Sequence, residues 1–452
     1  MSVVNQVGKE LHHVVVVGGG AGGLELATRL GDQLGKRGKA MVTLVDKYST
    51  HMWKPLLHEV AAGSMDMDEH EIEYIAQGYW HHFDFRLGAL EKLDRSKQVI
   101  TLSPTYDEDG EVLIPVREIH YDTLIIAVGS VSNDFGIPGV QEYAVALETQ
   151  AEAATFHRRL INACIRTQVA PTDSHQGHLN VAIIGGGATG VELSAELHNT
   201  TRQLAAHGLD NINPDRDVKL SIIEAAPRIL PALPEDISLE VQRQLEKLNV
   251  ELKLGQRVTK VDAEGVHTKD GLLVAASLVV WAAGIKAPDF LKNMDGLETN
   301  WSNQLVVKTT LQTSNDDNIF ALGDCAACPW TAQGKDSQGR DILVPARAQA
   351  AHQQASMLVK SVKRRIKGNK SLPEYSYRDF GSLVSLGKYS TVGNLMGGLT
   401  GGALFIQGSF AGLMYRMLYK MHLYALHGLT KVVLDTIAQI ITRRSSPHVK
   451  LH

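Results

Sequence analysis

The chain has 452 residues, 44% of them hydrophobic, so it is long enough for two or three domains with separate cores. Its formal net charge of −4 gives no reason to expect general affinity for nucleic acid. Three cysteines do not make a disulfide framework for a chain of this size, and they favour a reducing compartment. Because it has neither a signal-peptide core nor an apolar run of about 18 residues, neither export nor a transmembrane helix is expected.

The first predicted unit opens with an apolar strand, Val14–Val17, and a glycine-rich turn that leads into a helix ending near Leu34. In such a turn the first glycine permits the reversal and the second lets the backbone approach a pyrophosphate, while the third lets the helix pack on the strand. The free N–H groups at the helix N-terminus then bind the phosphates. The pattern therefore predicts a dinucleotide site, with the three glycines at Gly18, Gly20 and Gly23.

The rest of this unit is predicted from shorter signals. Asp46 ends the second strand, where a carboxylate can bind a ribose hydroxyl of the dinucleotide. An irregular stretch over residues 51–66 follows, and a β-hairpin is expected around Asp109 and Gly110. The segment Thr123–Ser130 is predicted to be a buried strand that ends in glycine.

A second unit repeats this plan after a helix over Gln150–Gln168 and a polar connector over residues 171–178. Glu224 takes the place of the first ribose acid but lies further from its turn than usual, which a polar insertion over residues 201–217 would explain. The strand over residues 277–284 mirrors the last strand of the first unit. Two such units predict two dinucleotides with electrons passing between them; the repeated glycines are Gly185, Gly187 and Gly190.

Downstream, the sequence predicts a strand ending at Gly323–Asp324, a helix over residues 344–366, and short strands with glycine-rich turns over residues 375–402. Cys325 and Cys328 have metal or redox spacing, but one CxxC motif without a second pair makes a poor zinc site. We therefore expect a small buried pair and no metal site.

The end of the chain is basic and apolar, with a net charge of +5 from Leu404 onward against −9 for the rest. Two helical patterns meet at Gly428, and charges interrupt both, so neither should span a membrane. The pattern predicts an amphipathic helix at an interface with anionic lipid, and the alternative is a core or dimer helix. Its apolar and tyrosine positions are Leu413, Tyr415, Met417, Leu418, Tyr419, Met421, Tyr424 and Leu426, then Val432, Val433, Ile437, Ile440 and Ile441.

Long strings in this sequence resemble those of the bacterial type II NADH dehydrogenases, single-chain NADH:quinone oxidoreductases of the two-dinucleotide-binding flavoprotein superfamily. They include GGGAGGLE, WKPLLHEVAAGS, IIGGGATGVELSAELHN, VWAAGIKAPDFL, GDCAACP, RAQAAHQ, GSLVSLGKYSTVG and the terminal VKLH. The resemblance covers essentially the whole chain. It implies an α/β fold with two Rossmann-type domains and a C-terminal membrane-association region. The FAD-binding domain (1–170 and 291–370) would be interrupted by the NADH-binding domain (171–290), and residues 371–452 would form the C-terminal region.

The resemblance implies one non-covalent FAD in the first unit and NADH, as substrate, in the second. Asp324 would bind the FAD ribityl chain or pyrophosphate, although a turn or helix-cap aspartate is the alternative. The residues implied for FAD are Gly18, Gly20, Ala21, Gly22, Gly23, Asp46, Lys47, Lys54, Leu90, Gly129, Asp324, Ala348, Gln349 and Lys388, of which Lys388 is equally consistent with a solvated turn lysine. Those implied for NADH are Gly185, Gly187, Gly190, Glu224 and Gly284.

Two further roles follow from the same resemblance. Glu192 would act in proton handling or nicotinamide placement, and its alternative is to stabilise a helix N-terminus. The quinone site would include Gln349, Gln353 and Pro55, with Lys54 and His58 as weaker candidates in the same cavity. Paired glutamines on a helix are otherwise simply solvated, and His352 is equally consistent with a packed or solvated histidine. A carboxylate at Glu224 would repel a 2′-phosphate and favour NADH over NADPH, and the nearby Arg228 weakens that inference.

The segment after Asp46 contains no cysteine, whereas disulfide reductases of this superfamily carry a redox pair there. Hydride is therefore expected to pass from NADH to FAD, and two electrons then to a membrane quinone, without proton pumping. The expected location is the cytoplasmic face of the inner membrane, with quinone, the lipid surface and a possible homodimer as partners, and no nucleic acid. The alternatives are a sulfide:quinone oxidoreductase that uses Cys164 and Cys325, or an FAD- and NADH-binding redox sensor with a docking helix.

Overall fold

A computed structural model of the chain describes residues 11–66, 70–169, 178–207, 209, 211–396 and 403–442. The polar connector predicted over residues 171–178 lies outside these ranges except for its last residue. The helices are α1 (Ala21–Gln33), α2 (Leu57–Ala62), α3 (Tyr74–His81), α4 (Val140–Tyr143), α5 (Gln150–Val169), α6 (Ala188–Ala206), α7 (Pro214–Asp217), α8 (Glu235–Lys247), α9 (Ala348–Ile366) and α10 (Ser409–Thr442).

The first of two large sheets draws on both ends of the chain. Its strand order is β23-β24-β11-β1-β2-β5, and all neighbours are parallel except the edge pair β23–β24. The strands are β1 (His12–Val17), β2 (Ala40–Asp46), β5 (Asp84–Leu87), β11 (Thr123–Ile126), β23 (Gln312–Thr313) and β24 (Asp316–Ala321). Because β23 and β24 follow the second glycine turn in sequence, the chain leaves this sheet, builds another unit and returns.

The second large sheet is wholly parallel, in the order β13-β20-β14-β15-β16. Its strands are β13 (Ala144–Ala146), β14 (Leu179–Ile184), β15 (Val218–Glu224), β16 (Glu251–Leu254) and β20 (Leu278–Trp281). Since β13 joins this sheet and α5 packs into its core, the second unit takes in residues before 171, where the sequence places its boundary. The exact division into domains stays a prediction.

Each unit carries an antiparallel three-stranded sheet, which precedes β11 in the first unit and β20 in the second. The two units therefore follow the same plan. In the first unit these strands are β6 (Leu90–Asp94), β7 (Val99–Leu102) and β10 (Arg117–His120), and in the second they are β17 (Val258–Asp262), β18 (Gly265–Thr268) and β19 (Leu273–Ala275). The predicted hairpin around Asp109 is confirmed as β8 (Thr105–Tyr106) paired with β9 (Val112–Ile114). Short pairs complete the units: β3 (Thr50–His51) with β4 (Ile72–Glu73), β12 (Val131–Ser132) with β21 (Ile285–Lys286), and β22 (Leu305–Val306) with β25 (Ala326–Ala327).

The described part of the C-terminal region contains a three-stranded antiparallel sheet followed by α10. The strands are β26 (Gly381–Ser385), β27 (Thr391–Met396) and β28 (Ala403–Gln407). The first two agree with the short strands predicted over residues 375–402, whereas β28 lies beyond that range and was not predicted. The backbone of α10 leaves helical geometry at Gly428, where φ is +77°, so the predicted break between two helical segments is confirmed. Among the described residues, no helix contains an apolar stretch long enough to cross a bilayer.

Two expectations from the sequence are wrong in detail. The stretch expected to be irregular contains the end of β3, a 3-10 turn at Lys54–Leu56 and helix α2, because its Leu57, Val60, Ala61 and Ala62 are buried in the second core. Helix α9 begins at Ala348, four residues after the predicted start at residue 344. The stretch over residues 201–217, proposed as an insertion before Glu224, contains the end of α6, which continues to Ala206, and helix α7.

Candidate functional site

The two glycine turns are built alike at the level of single hydrogen bonds. The N–H of Gly18 donates to the Val45 carbonyl at 2.7 Å, and that of Gly185 donates to the Ile223 carbonyl at 2.9 Å. Both glycines have a positive φ, +105° and +111°, which a residue with a side chain rarely adopts. The same backbone geometry therefore ends β1 and β14 and aims the first turn of α1 and of α6 in equivalent ways.

The predicted ribose acids are tied to the turns by equivalent bonds. One carboxylate oxygen of Asp46 accepts from the N–H of Gly19 at 2.6 Å, and one of Glu224 accepts from the N–H of Gly186 at 2.7 Å. The second oxygen of each acid accepts from the N–H two residues on. Burial raises the pKa of Asp46. Each acid is thus held at the rim of its turn, where a ribose would lie.

The turns fit dinucleotide pyrophosphates. A Cβ added at Gly20 or Gly187 would meet no protein atom within 4 Å, so the space beside the second glycine of each turn is open. These glycines are the N-caps of α1 and α6, and neither helix has a side-chain cap. The free N–H groups and the positive end of the helix dipole consequently face that space in both units.

One cavity of about 4260 Å³ brings nearly all predicted site residues together. Gly23 and Gly190 do not line the cavity. They pack against the carbonyls of Gly18 and Gly185, respectively, where an added Cβ would clash, so they let each helix lie close to its strand. The lining includes Gly18, Gly20, Ala21, Gly22, Asp46, Lys47, Lys54, Pro55, His58, Leu90, Gly129, Gly185, Gly187, Glu192, Glu224, Gly284, Asp324, Ala348, Gln349, His352, Gln353 and Lys388.

A small polar group surrounds Asp324 after strand β24. Its carboxylate accepts a hydrogen bond from the Ser130 hydroxyl at 2.8 Å, and the ammonium of Lys54 donates to the Ser130 carbonyl at 3.3 Å. Burial raises the pKa of Asp324, while the Ser130 bond and the charge of Lys54 oppose that effect. Asp324 lies in the 3-10 turn Gly323–Cys325 and is a buried polar group at the cavity wall of the first unit.

Gln349 and Gln353 lie on one face of α9, but their amides are engaged by a neighbouring segment. The amide of Gln353 donates to the carbonyl of Arg378 at 2.8 Å and accepts from its N–H at 3.0 Å. The amide of Gln349 donates to the Gly381 carbonyl at 3.2 Å and accepts from the N–H of Phe380, also at 3.2 Å. These pairs fix residues 378–381 along the cavity wall.

Glu192 is buried in the first turns of α6 and makes contacts that the sequence does not predict. Its carboxyl accepts from the N–H of Ser385 at 2.9 Å, is hydrogen bonded to the Tyr415 hydroxyl, and lies 3.7 Å from Nδ1 of His58. Burial raises its pKa to about 8, with smaller contributions from the charges of Glu59 and Glu196. The group is therefore largely protonated at neutral pH.

Two further carboxyl groups form a cluster with Glu192. Burial and the charge of Glu196 raise the pKa of Glu59 to about 7, and burial raises that of Glu196. Lys388 lies in the turn between β26 and β27, and its charge stabilises the ionised form of Glu196. Burial lowers the pKa of His58 to about 4, so this histidine stays neutral and accepts or donates without charge.

A second group, missed from the sequence, surrounds the carbonyl of Gly19. The Tyr74 hydroxyl donates to it at 2.9 Å, and Nδ1 of His51 lies 2.8 Å away. Nε2 of His51 lies 2.9 Å from Nε2 of His422 on α10. His352, on α9, is hydrogen bonded to Glu25 rather than free in the cavity. No spacing rule joins residues 19, 51, 74 and 422, because four different elements supply them.

The three cysteines are buried and free. Burial raises the pKa of Cys164 to about 11 and those of Cys325 and Cys328 to about 12, so none has the depressed pKa of a reactive thiol. Cys164 belongs to the core of the second unit and Cys325 to that of the first. In the part of the chain that the structure describes, no group of His, Cys, Asp and Glu side chains could hold a metal ion.

Arg228, which lies four residues after Glu224 in sequence, is held by its own loop. Its guanidinium donates to the carbonyls of Leu230, Pro231 and Leu233 at 2.9 to 3.1 Å. It is thus committed to its own loop. Gly284, with φ +68°, lies against the ring of Phe135, where an added Cβ would come within 2.4 Å of the ring.

Comparison with known proteins agrees with this construction. The family described as pyridine nucleotide-disulphide oxidoreductase matches residues 12–355. The type II NADH:quinone oxidoreductase of Haemophilus influenzae is 40% identical over 98% of this chain and 100% of its own length. The chain belongs to the type II NADH:quinone oxidoreductases. A second member, NdhA of Mycobacterium tuberculosis, is 27% identical over 91% of this chain and 83% of its own.

Solved structures support the same fold. The structure of NDH2 from Plasmodium falciparum in complex with NADH has a TM-score of 0.79 at 19% identity and covers 97% of this chain and 100% of that one. A sulfide:quinone oxidoreductase from Aquifex aeolicus has a TM-score of 0.72 at 17% identity, with 96% of each chain covered. At these identities the likeness concerns the fold, which is the α/β pyridine nucleotide-disulphide oxidoreductase fold.

Proposed function

We propose that this chain oxidises NADH with a membrane quinone, in the reaction NADH + H⁺ + quinone → NAD⁺ + quinol. One observation carries the proposal: two dinucleotide turns and a buried cluster of protonatable groups line the same cavity. The nearly full-length similarity to type II NADH:quinone oxidoreductases supports the choice of both substrates. The raised thiol pKa values give no support to the sulfide alternative.

FAD, when bound, would supply the two-electron transfer between nicotinamide and quinone. The open space at Gly20 and the N-terminus of α1 would hold its pyrophosphate, Asp46 a ribose, and Asp324 the ribityl chain or pyrophosphate. In the same FAD site, Leu90 would provide an apolar surface and Ala348 would leave room for the cofactor. Lys47, Lys54 and Gly129 would lie at the edges of that site.

NADH would occupy the second turn. Gly187 leaves room for its pyrophosphate at the N-terminus of α6, and Glu224 would bind the adenosine ribose. A 2′-phosphate would meet the carboxylate of Glu224, and Arg228 is bonded to its own loop, so we propose a preference for NADH over NADPH.

Proton supply would fall to Glu192. Quinol formation takes up two protons, and a carboxyl group with a pKa of about 8 still holds its proton at neutral pH. Glu59, with a pKa of about 7, could hand on a proton from the same cluster. Glu192 lies on α6 beside the second turn and contacts Ser385 and Tyr415 from the C-terminal region, so it stands between the nicotinamide seat and the elements that would face the membrane.

The quinone would enter along the wall formed by α9 and residues 378–381. Gln349 and Gln353 hold that segment in place, and Pro55 and Lys388 line the same cavity. We propose that the amides shape the wall of the quinone site, and that a quinone oxygen would replace one of their backbone bonds if it bound them directly.

Membrane association would depend on α10. Leu413, Met417, Leu418 and Met421 are 47 to 62% exposed, whereas Leu426 is only 1% exposed and belongs to the first core, so this residue of the predicted apolar stripe faces inward. Tyr415 and Tyr419 are half-buried, and the hydroxyl of Tyr415 is hydrogen bonded to Glu192. We propose that the exposed face lies on the inner membrane, on the side with anionic lipid, with the basic residues of the helix at the lipid headgroups.

Anaerobic stopped-flow absorbance tests the reaction. FAD-loaded protein is mixed with one equivalent of NADH, and the bleached flavin is then mixed with a soluble short-chain quinone. We expect rapid bleaching followed by rapid return of the oxidised spectrum. Bleaching by NADH with no faster return in quinone than in buffer would contradict the proposal and favour the redox-sensor alternative, while bleaching by sulfide that Cys164→Ser abolishes would favour the sulfide alternative.

A further inference from the structure

Helix α3 presents an apolar face to solvent. Ile75, Tyr79 and Trp80 are 70, 76 and 71% exposed, and the remaining exposed position inside the helix, Ala76, is also apolar. The opposite face packs inward through Tyr74, Gln77 and Gly78. A helix of a soluble domain normally exposes charged or polar residues, so this arrangement is inverted. The aromatic rings of Tyr79 and Trp80 also contact each other edge to face at 5.1 Å.

The inward side of α3 contacts the C-terminal helix, although more than 300 residues separate the two helices in sequence. The side-chain amide of Gln77 donates to the carbonyl of Leu426 at 3.0 Å, on the inward side of α3. On α10, Tyr424 and Leu429 flank Leu426 and are 56 and 66% exposed. The exposed residues of α3 and of α10 therefore belong to neighbouring elements joined by a buried hydrogen bond.

Basic residues border the same helix. The 3-10 turn Gly35–Arg37 exposes Lys36 and Arg37, and Lys39 follows it. This turn is packed against the end of α3: an added Cβ at Gly35 would lie 2.2 Å from the carbonyl of His82. Acids also lie nearby: Asp32 pairs with His81 at 3.0 Å, Glu73 is the exposed N-cap residue of α3, and Asp84 after the helix pairs with Arg86 at 3.8 Å.

We infer that the face formed by Ile75, Tyr79 and Trp80 is a second membrane contact, which inserts its aromatic rings at the headgroup level beside α10. The inference rests on the proposed membrane docking and extends it to an element of the first unit. Tryptophan and tyrosine suit this depth because one end of each side chain is apolar and the other forms hydrogen bonds with water or headgroups. The exposed Lys36, Arg37 and Lys39, which lie at the His82 end of α3, would then face anionic headgroups.

Brominated phospholipid tests the depth of Trp80 directly. The chain has five tryptophans, of which Trp80 and Trp301 are strongly exposed, at 71 and 87%. FAD-loaded protein is added to vesicles of phosphatidylcholine and phosphatidylglycerol with bromine on the acyl chains. We expect bromine-dependent quenching of tryptophan fluorescence that Trp80→Phe abolishes and the matched variant Trp301→Phe preserves. Equal quenching in Trp80→Phe and the unaltered protein would overturn the inference.

Co-sedimentation measures the contribution of the face to binding. Tyr79→Ala/Trp80→Ala keeps the helix, because both side chains are exposed and alanine favours helical structure. We expect the vesicle partition coefficient to fall about ten-fold or more, with Trp301→Ala unchanged, since each aromatic side chain buries a large apolar area. Turnover with a soluble short-chain quinone should be unaffected, because neither residue lines the cavity.

The outcomes separate this inference from the docking on which it rests. If the unaltered protein does not bind vesicles, both fail. If it binds and the double variant binds equally well, α10 alone accounts for docking and the face on α3 has no role. If the double variant instead changes the sedimentation coefficient in the absence of lipid, the face joins two copies of the chain and the lipid assignment is wrong.

Discussion

Replacement of Glu192 by glutamine tests the proposed proton donor most directly. With a pKa of about 8, the carboxyl group is about nine-tenths protonated at pH 7, whereas an ordinary glutamate with a pKa of 4.5 would be only about 0.3% protonated. Glutamine keeps the size and neutrality of that protonated form and can still accept from the N–H of Ser385, but it has no proton to release. The variant should therefore fold and hold FAD while losing one catalytic function.

The expected loss is about 10²- to 10⁴-fold in turnover, the usual contribution of a positioned acid or base. Stopped flow separates its two candidate roles: slower flavin reoxidation by quinone indicates proton donation, and slower bleaching by NADH indicates nicotinamide placement. The flavin-to-protein absorbance ratio serves as the control for FAD retention. Turnover within about two-fold of the unaltered protein, at full FAD content, would remove Glu192 from the mechanism.

The raised pKa of Glu192 also predicts in which direction turnover changes with pH. Because the folded pKa of Glu192 is raised, its proton is present below about pH 8 and is lost as the pH rises through that value, so turnover should fall on the alkaline side. The charge of Glu59 helps to raise this pKa. Glu59→Gln should accordingly move the alkaline limb to lower pH, and a limb that does not move would show that another group controls it.

Three further predictions follow from the packing. A Cβ at Gly187 meets no protein atom within 4 Å, so Gly187→Ala should raise the KM for NADH about ten-fold without changing the melting temperature. A Cβ at Gly190 would lie 2.1 Å from the Gly185 carbonyl, so Gly190→Ala should lower the melting temperature by several degrees. Iodoacetamide at pH 8 should label none of the three cysteines in native protein and all three after denaturation, since every thiol is buried with a pKa of 11 or more. Truncation after Gly428 should leave FAD-loaded protein that sediments less with vesicles, whereas truncation before Leu404 should fail to fold, because it removes β28 and the buried Leu426.

The geometry of the two glycine turns was predicted well from the sequence because it depends on short-range rules. A strand, three spaced glycines and an acid at the end of the next strand lie close together in sequence, and each has a direct backbone reason. The structure reproduces them down to the paired N–H bonds of Asp46 and Glu224. The ribose acids, however, did not say which cofactor sits where, and that assignment came from the resemblance alone.

The cluster around Glu192 could not be predicted in the same way. Its partners Ser385 and Tyr415 come from the C-terminal region, about 200 residues away, and only the packing of β26 and α10 on α6 brings them together. The length of α6 depends on packing in the same way. Its last turns lie in the polar stretch that begins at residue 201, and buried Thr200, Thr201 and Leu204 hold them against the core.

The contact between His51 and His422 couples the C-terminal helix to the first dinucleotide turn. Because the Gly19 carbonyl can only accept, Nδ1 of His51 must carry its proton and, as burial lowers the pKa of His51 to about 4, its Nε2 is an acceptor. His422 must then donate from Nε2, and burial also lowers its pKa, so it does so as a neutral ring. Removing this donor leaves the buried Nε2 of His51 unpaired, which costs about 1–3 kcal/mol.

We therefore expect His422→Phe to release FAD at a temperature several degrees lower than the unaltered protein does, measured by the rise of free-flavin fluorescence on heating. His422→Gln should restore most of the difference, because its side-chain amide can donate in place of the imidazole. His422→Phe keeps an aromatic ring that can stack on Trp53 and His422→Gln does not, so a higher release temperature in the glutamine variant cannot come from that contact. If the glutamine variant releases FAD at no higher temperature than the phenylalanine variant, the hydrogen bond does not explain the effect, and α10 supports the turn only by filling space.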